Sequence, residues 1–382
     1  MSVDYRYITR PAELEALCAR LAGQPWLALD TEFVREKTYY PVLGLIQVAT
    51  PELTACIDPV ALPDLEPLMA LLYDPGVTKV LHAASQDLEI FYHLRGAVPG
   101  PVFDTQLAAT LLGHGDQVGY GALVERVLGT RLHKGHTRTD WSARPLDPGQ
   151  LRYAAEDVYY LARLYPRLRE ELEHRGRLQW LAEDLAALTD PGTYEVDVDE
   201  AWRRVAGRNK LDPQQLAVLA HLARWREQEA QARDKPRRWV LSDDTLLTLA
   251  RLQPQTAAAL GRVRGLDGRQ RPETLLAVIR EARTVPEDRW PRRESGRRLS
   301  PEQEAAVDLL NALVRSRAAQ SQVSAATLAP RRELERLVRG ERDLPLLHGW
   351  RREIVGAELL EVLDGGRCVA LSGGTLVTRP GP

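Results

Sequence analysis

The 382-residue chain is poor in sulfur and in phenylalanine, with three cysteines, two methionines and three phenylalanines. Cys18, Cys56 and Cys368 stand far apart and form no C-x-x-C pair, which argues against a disulfide framework or a cysteine zinc site and leaves free thiols. No apolar run approaches the roughly 20 residues that cross a bilayer. Met1 to Arg10 also lacks an apolar stretch behind a basic head, so a cytoplasmic protein with no membrane partner is expected. Lysine is scarce, at five against 46 arginines, and none of the five follows a glycine. That excludes a G-K-[ST] phosphate loop, and with it ATP use of the helicase kind.

What is present is an ordinary globular composition, 44% hydrophobic and 27% charged. The length implies roughly two to four domains. The net charge of −2 conceals an asymmetry: residues 1–200 carry a net of −12 (18 basic, 30 acidic), and residues 201–382 a net of +10 (33 basic, 23 acidic). An acidic half suits cations and a basic half suits a polyanion, although arginine richness is also a common compositional bias.

Short apolar runs at Trp26 to Phe33, Leu43 to Ala49, Leu53 to Ile57 and Lys79 to His82 predict buried strands. Spacings of three and four predict helices over Leu65 to Tyr73, Asp104 to Leu112, Tyr120 to Leu128 and Pro148 to about Arg175. After Thr189-Asp190-Pro191-Gly192 the pattern is helical only, and a charged, proline-containing break spans Val285 to Arg298. Three domains are expected: an α/β domain at 1–190 and all-α domains at 208–284 and 295–373. The helical parts read as a diverged repeat, since Leu211-Asp-Pro-Gln-Gln215 matches Leu299-Ser-Pro-Glu-Gln303 at an offset of 88.

Three acidic segments stand out. In Leu27-Ala-Leu-Asp-Thr-Glu-Phe33, strand alternation puts Asp30 and Glu32 on one face at the end of an apolar strand. In Val80-Leu-His-Ala-Ala-Ser-Gln-Asp-Leu88, Asp87 falls in the first turn of a helix, and in Tyr153-Ala-Ala-Glu-Asp157 the hydroxyl and the carboxylate share a helical face. Singly these would be a solvated strand end, a dipole partner and a hydrogen-bonded pair. In this order they resemble the DEDD exonuclease superfamily, tyrosine branch. The run from Asp30-Thr-Glu-Phe33 to Gln47 and the segment Lys134 to Pro145, with Asp140-Trp-Ser-Ala-Arg-Pro145, resemble more narrowly the ribonuclease D family. The helical repeats, with Asp234-Lys-Pro236 and Gly349-Trp-Arg-Arg352, resemble its helicase-and-RNase-D C-terminal (HRDC) domains.

The resemblance implies a ribonuclease H-like exonuclease domain with a mixed sheet flanked by helices, followed by two helical bundles. It implies 3′-to-5′ hydrolysis of RNA, releasing nucleoside 5′-monophosphates, with transfer-RNA precursors as substrates; separately, a monomer is expected. Asp30, Glu32, Asp87 and Asp157 are then the ligands of two divalent cations, Mg²⁺ or Mn²⁺, and Tyr153 orients the attacking water. Candidate nucleic-acid contacts are Phe33, Tyr39, Gln47, His82, Lys134, Arg138, Trp141 and Arg144, with Arg237, Arg238, Arg351 and Arg352 in the helical parts. The part up to about Thr189 is expected to work as a nuclease on its own. Competing readings are a 3′-to-5′ DNA exonuclease of repair type and a catalytically silent nucleic-acid-binding module; the intact acidic set argues against the latter.

Overall fold

The apolar runs become the middle of a six-stranded sheet. In chain order the strands are β1 (Arg6–Ile8), β2 (Trp26–Val34), β3 (Val42–Thr50), β4 (Leu53–Ile57), β5 (Thr78–Leu81) and β6 (Val102–Asp104), and in space they are ordered β1-β4-β3-β2-β5-β6. This computed structural model describes residues 3–132, 135, 139–266, 271–291 and 298–381. The pairs β1–β4, β2–β5 and β5–β6 are parallel and β3–β4 is antiparallel, so the sheet is mixed, as expected. Leu27, Ala28 and Leu29 on β2, and Leu45, Ile46, Val48 and Ala49 on β3, are fully buried. Burial on both faces explains why these strands read as continuous apolar runs.

The helices that follow the sheet's turns are α1 (Pro11–Leu21), α2 (Glu66–Leu72), α3 (Ser85–Arg95), α4 (Thr105–Leu111), α5 (Tyr120–Leu128), α6 (Pro148–His174) and α7 (Leu178–Thr189). The longest, α6, starts in a capping box: Asp147 accepts from Gly149 N at 2.7 Å, and Gln150 Oε1 accepts from Asp147 N at 2.6 Å.

Two compact units form, and they cut the chain differently from the three expected domains. One consists of Phe33–Val42 with Tyr194–Arg297. It contains α8 (Pro213–Ala232), α9 (Arg237–Val240), α10 (Asp243–Leu252), α11 (Ala257–Leu260) and α12 (Pro272–Arg283) around a core of Trp202, Leu219, Leu222, Leu246, Leu249, Leu275 and Ile279. The other joins the rest of the nuclease part to Arg298–Pro382. That last stretch holds α13 (Pro301–Ser321), α14 (Ala325–Leu328), α15 (Arg331–Val338) and α16 (Gly349–Arg351), which runs through a π turn into α17 (Ala357–Leu363). It is not all-α: β7 (Arg367–Ser372) and β8 (Thr375–Pro380) close it as a hairpin. Gly373 and Gly374 form the turn at φ of 58° and 81°, the left-handed pair a two-residue hairpin needs.

The repeat is present in the helices. Both α8 and α13 begin with proline behind a capping box, Asp212 with Gln215 and Ser300 with Gln303. The starts of α9 and α14, and of α10 and α15, are likewise 88 residues apart.

The C-terminal stretch shares a core with the nuclease part, in which Val158 and Leu161 belong to the same cluster as Leu310, Leu313 and Trp350. Trp180 stacks on Trp350 with ring centroids 4.8 Å apart and planes at 10°. Glu183 Oε2 accepts from Trp350 N at 3.1 Å. A Cβ on Gly349, whose φ is +49°, would fall 1.7 Å from that oxygen, so only glycine fits. Arg351, expected to contact RNA, instead reaches both carboxylate oxygens of Asp184, at 2.5 and 3.2 Å. A chain ending at about Thr189 would strip the cover from Trp180.

Trp350 is 1% exposed. Trp350→Ala is expected to cost about 3–5 kcal/mol of stability, read from the urea midpoint of the unit that also holds the sheet. An unchanged midpoint would show that the C-terminal stretch is not part of that cooperative unit.

Candidate active site

Strand geometry brings the first pair of acids together. Asp30 and Glu32 project from one face of β2 just beyond the buried Leu27–Leu29 stretch. Thr31 alternates away from them and donates from Oγ1 to Asp87 Oδ1 at 2.5 Å, which ties the first turn of α3 to the strand. That turn is itself built by Asp104: its carboxylate accepts from Ala83 N at 3.2 Å and Ala84 N at 2.8 Å while capping α4 through Gln106 N and Leu107 N. Ala83 takes a φ of +57°, so the backbone there is held in a conformation it would otherwise avoid.

Asp157 arrives on α6. One oxygen each of Asp30, Glu32 and Asp157 lie within 4.8 Å of one another, a spacing a divalent cation can bridge. Tyr153, one helical turn before Asp157, donates its hydroxyl to the Asp157 carboxylate. Tyr120 on α5 donates to the Asp157 carbonyl and fixes the helix at this point.

The electrostatics fit a cation. Burial, and then the charges of Asp87, Asp157 and Glu32, raise Asp30 well above the usual carboxylate range. Burial with Asp157 and Asp87 pushes Glu32 up to about 8. Burial also lifts Asp157 to about 7 and Asp87 to about 6, against the opposing hydrogen bonds from Tyr153 and Thr31. Tyr153 is itself raised, first by burial and then by Asp157, Glu32 and Asp30, so it is a hydrogen-bond donor and not a base near neutrality.

Several expected nucleic-acid contacts have other work. Tyr39 is 4% exposed and belongs to the helical unit's core with Ala230 and Val240, not to a base-stacking surface. His82 has both ring nitrogens engaged, Nδ1 with Thr105 Oγ1 at 3.0 Å and Nε2 with the Val118 carbonyl at 3.1 Å, and burial lowers its pKa. Arg144 grips Asp58 through Nε and Nη2, each at 2.7 Å, and the Gly44 carbonyl at 2.6 Å, leaving it no free edge for phosphate. Trp141 is 3% exposed, its ring centroid 6.5 Å from that of Tyr153. Gln47 is fully buried, with neither amide atom bonded to another protein group, on the strand position paired with Cys56. Phe33 is half-buried, and Lys134 and Arg138 lie outside the described residues.

Sequence reasoning missed Thr31, Asp104, Tyr120 and Asp58, which hold the acids or their loops. An aspartate directly before Thr-Gln-Leu was a legible cap signal for Asp104. The other three act across 37 to 86 residues of chain, where sequence spacing carries no signal. Gly44 belongs with them, because a Cβ there would lie 2.7 Å from the Trp141 carbonyl oxygen and 2.8 Å from its Cβ. Gly44→Ala is expected to cost about 1–3 kcal/mol through overpacking and to lower turnover by displacing Trp141 from beside Tyr153. Wild-type turnover together with wild-type thermal stability would refute that packing role.

Residues 5–173 match the model of the 3′–5′ exonuclease family and residues 215–277 that of the HRDC domain. Ribonuclease D of Granulibacter bethesdensis is 42% identical over 96% of this chain and 94% of its own length. Ribonuclease D of Nitrobacter hamburgensis is 40% identical over 97% and 98% respectively. The crystal structure of Escherichia coli RNase D, described as an exoribonuclease involved in structured RNA processing, superimposes with a TM-score of 0.84 at 35% identity, over 95% of this chain and 99% of that one. Likeness of this extent, on a chain that brings Asp30, Glu32 and Asp157 together with Tyr153 bonded to the last of them, makes this protein a member of the ribonuclease D family, with that family's 3′–5′ exoribonuclease activity.

Proposed function

We propose that Asp30, Glu32, Asp87 and Asp157 hold two divalent cations, Mg²⁺ or Mn²⁺, and that the protein trims the 3′ ends of structured RNA, transfer-RNA precursors above all, as a cytoplasmic monomer. The observation that carries the reading is the convergence of Asp30, Glu32 and Asp157 within 4.8 Å, with Tyr153 bonded to Asp157. When bound, the cations supply an activated water and charge compensation for the departing 3′ oxygen. The carboxylates themselves provide hard oxygen donors of the kind magnesium and manganese prefer. Tyr153, held by Asp157 and flanked by Trp141, presents a fixed hydroxyl that orients the nucleophile, an effect of position and not of basicity. Asp87, carried by Thr31 and the Asp104-built turn, closes the set from α3. The net of +10 over residues 201–382 supports a substrate with many phosphates, bound without sequence readout.

Digestion of 5′-labelled RNA and DNA of one sequence, with and without chelator, tests the reading. A ladder shortened stepwise from the 3′ end of the RNA, nucleoside 5′-monophosphates as product and arrest by chelator are expected; internal fragments would overturn it. Asp30→Asn is expected to abolish hydrolysis while circular dichroism and RNA affinity stay near wild type. Tyr153→Phe should lose about 10² to 10⁴-fold in single-turnover rate with cation affinity little changed.

A pH dependence follows from the raised carboxyl groups. An acid whose pKa rises on folding contributes stability that is fully present below its unfolded value and is lost as pH rises to its folded value. With Asp157 at about 7 and Glu32 at about 8, the metal-free protein should lose stability as pH climbs from about 4 to 8. Mn²⁺ should therefore raise Tm more at about pH 8.5 than at about pH 5.5, and Asp30→Asn should flatten the difference. Equal Tm gains at both pH values would contradict the assignment.

A further inference from the structure

Gln47 is a polar residue in the middle of β3, among the fully buried Leu45, Ile46, Val48 and Ala49. It is itself fully buried, and among the described residues neither its amide oxygen nor its amide nitrogen has a hydrogen-bond partner. An amide left unpaired in a core is destabilising, so its place there calls for a function that uses it. The sheet order sets β3 between β4 and β2. Gln47 stands directly opposite Cys56 on β4, and opposed residues of an antiparallel pair project to one face. That face is the one α6 covers, since the Cys56 thiol donates to the Leu151 carbonyl of α6 at 3.7 Å. All of these residues belong to one compact unit.

The acids lie on the same side. Ala28 of β2 and Ala49 of β3 join Val158 and Leu161 of α6 in one core cluster. Strand alternation then puts Asp30, the next residue of that parity after Ala28, and Gln47, the one before Ala49, under α6 together. Cys56 is near enough to the cluster that Asp157 and Asp30, after burial, raise its thiol. Between Cys56 on β4 and Asp30 on β2, the β3 residue is Gln47. The thiol is already turned to Leu151, which leaves the carboxylate side for the amide. Asp87 has the Thr31 hydroxyl as a side-chain donor and Asp157 has Tyr153. At Asp30 the bond that favours the ionised form comes from the Thr31 backbone N–H. A neutral amide brings two donors without a charge, so it can orient a carboxylate and leave it free to bind a cation.

We propose that Gln47 is a positioning residue of the cation site, whose amide N–H donates to Asp30 when that carboxylate is ionised and holds it in the orientation that binds a divalent cation. This rests on the reading of Asp30 as a cation ligand. An ionised carboxylate only accepts hydrogen bonds, and Gln47 is a neighbouring donor with its capacity unused. Full burial keeps the same amide away from RNA. Donors standing behind a metal ligand are worth about 10- to 100-fold in affinity or activity.

The test uses the full chain, with Mn²⁺ alone as one probe and a four-nucleotide single-stranded RNA as the other. Gln47→Met keeps the length and nearly the volume of the side chain and removes both donors and the acceptor. The Tm of the cation-free variant is expected to equal or exceed that of the wild type, because an unpaired amide is gone. Its Mn²⁺ affinity, read by titration, is expected to fall about 10- to 100-fold, and turnover at limiting Mn²⁺ to fall with it, while KM for the RNA stays within about threefold. Unchanged Mn²⁺ affinity overturns the proposal. So does a lower cation-free Tm, which would make Gln47 a packing group, and so does a raised KM with Mn²⁺ affinity intact, which would make it an RNA contact. An Asp30→Asn control separates the two claims. If that variant binds Mn²⁺ and turns over like the wild type, the cation-site reading fails and this proposal with it; if it loses both while Gln47→Met matches the wild type, only the claim for Gln47 falls.

Discussion

Mutual repulsion among the buried carboxylates is the constraint on which the nuclease part depends. Two unit charges about 5 Å apart repel by on the order of 3 kcal/mol at an effective dielectric of about 20, before any cost of removing them from water. Asp30 feels three such neighbours, Asp87, Asp157 and Glu32. Burial first, with this repulsion added at Asp30 and Glu32, makes the metal-free cluster take up protons: Asp30 is raised well above the usual range, Glu32 to about 8, Asp157 to about 7 and Asp87 to about 6. A cation relieves the same strain while leaving the oxygens ionised and useful. Metal dependence of this kind belongs to the exonuclease family the chain falls in.

Holding like charges together requires supports that do not compete for them. Thr31 and Tyr153 give Asp87 and Asp157 one hydrogen bond each, enough to orient a carboxylate without neutralising it. Arg144 is spent on Asp58 and on the Gly44 and Trp141 carbonyls, so it braces the loop bearing Trp141. Farther out, Trp180 on Trp350 and Arg351 on Asp184 attach the C-terminal stretch to α7. Through these contacts a chain with a modest core in its first 190 residues gains a larger one.

The acids, their helix and their strand were legible because each depends on local periodicity: alternation for Asp30 and Glu32, a helical turn for Tyr153 and Asp157. The fold class followed from buried apolar runs of strand length. What failed was partnership. Arg144, Arg237 and Arg351 look alike in sequence as surplus charge beside motifs, and each is paired with a distant acid, Asp58, Glu227 or Asp184. Tyr39 looks like an exposed aromatic in a polar loop, and its burial is set by residues about 190 positions away. The joining of Arg298–Pro382 to the nuclease part was illegible for the same reason, since a long-range docking surface such as Gly349-Trp350 leaves no periodic trace.

The central claim is that this acidic cluster is a two-cation site. The most direct measurement counts Mn²⁺ bound per chain at equilibrium by electron paramagnetic resonance, for the wild type and for Asp157→Asn. Two bound ions with spin coupling between them in the wild type, and loss of that coupled pair in the variant, are the results this account requires. A stoichiometry unchanged by Asp157→Asn, or ions too far apart to couple, would contradict it.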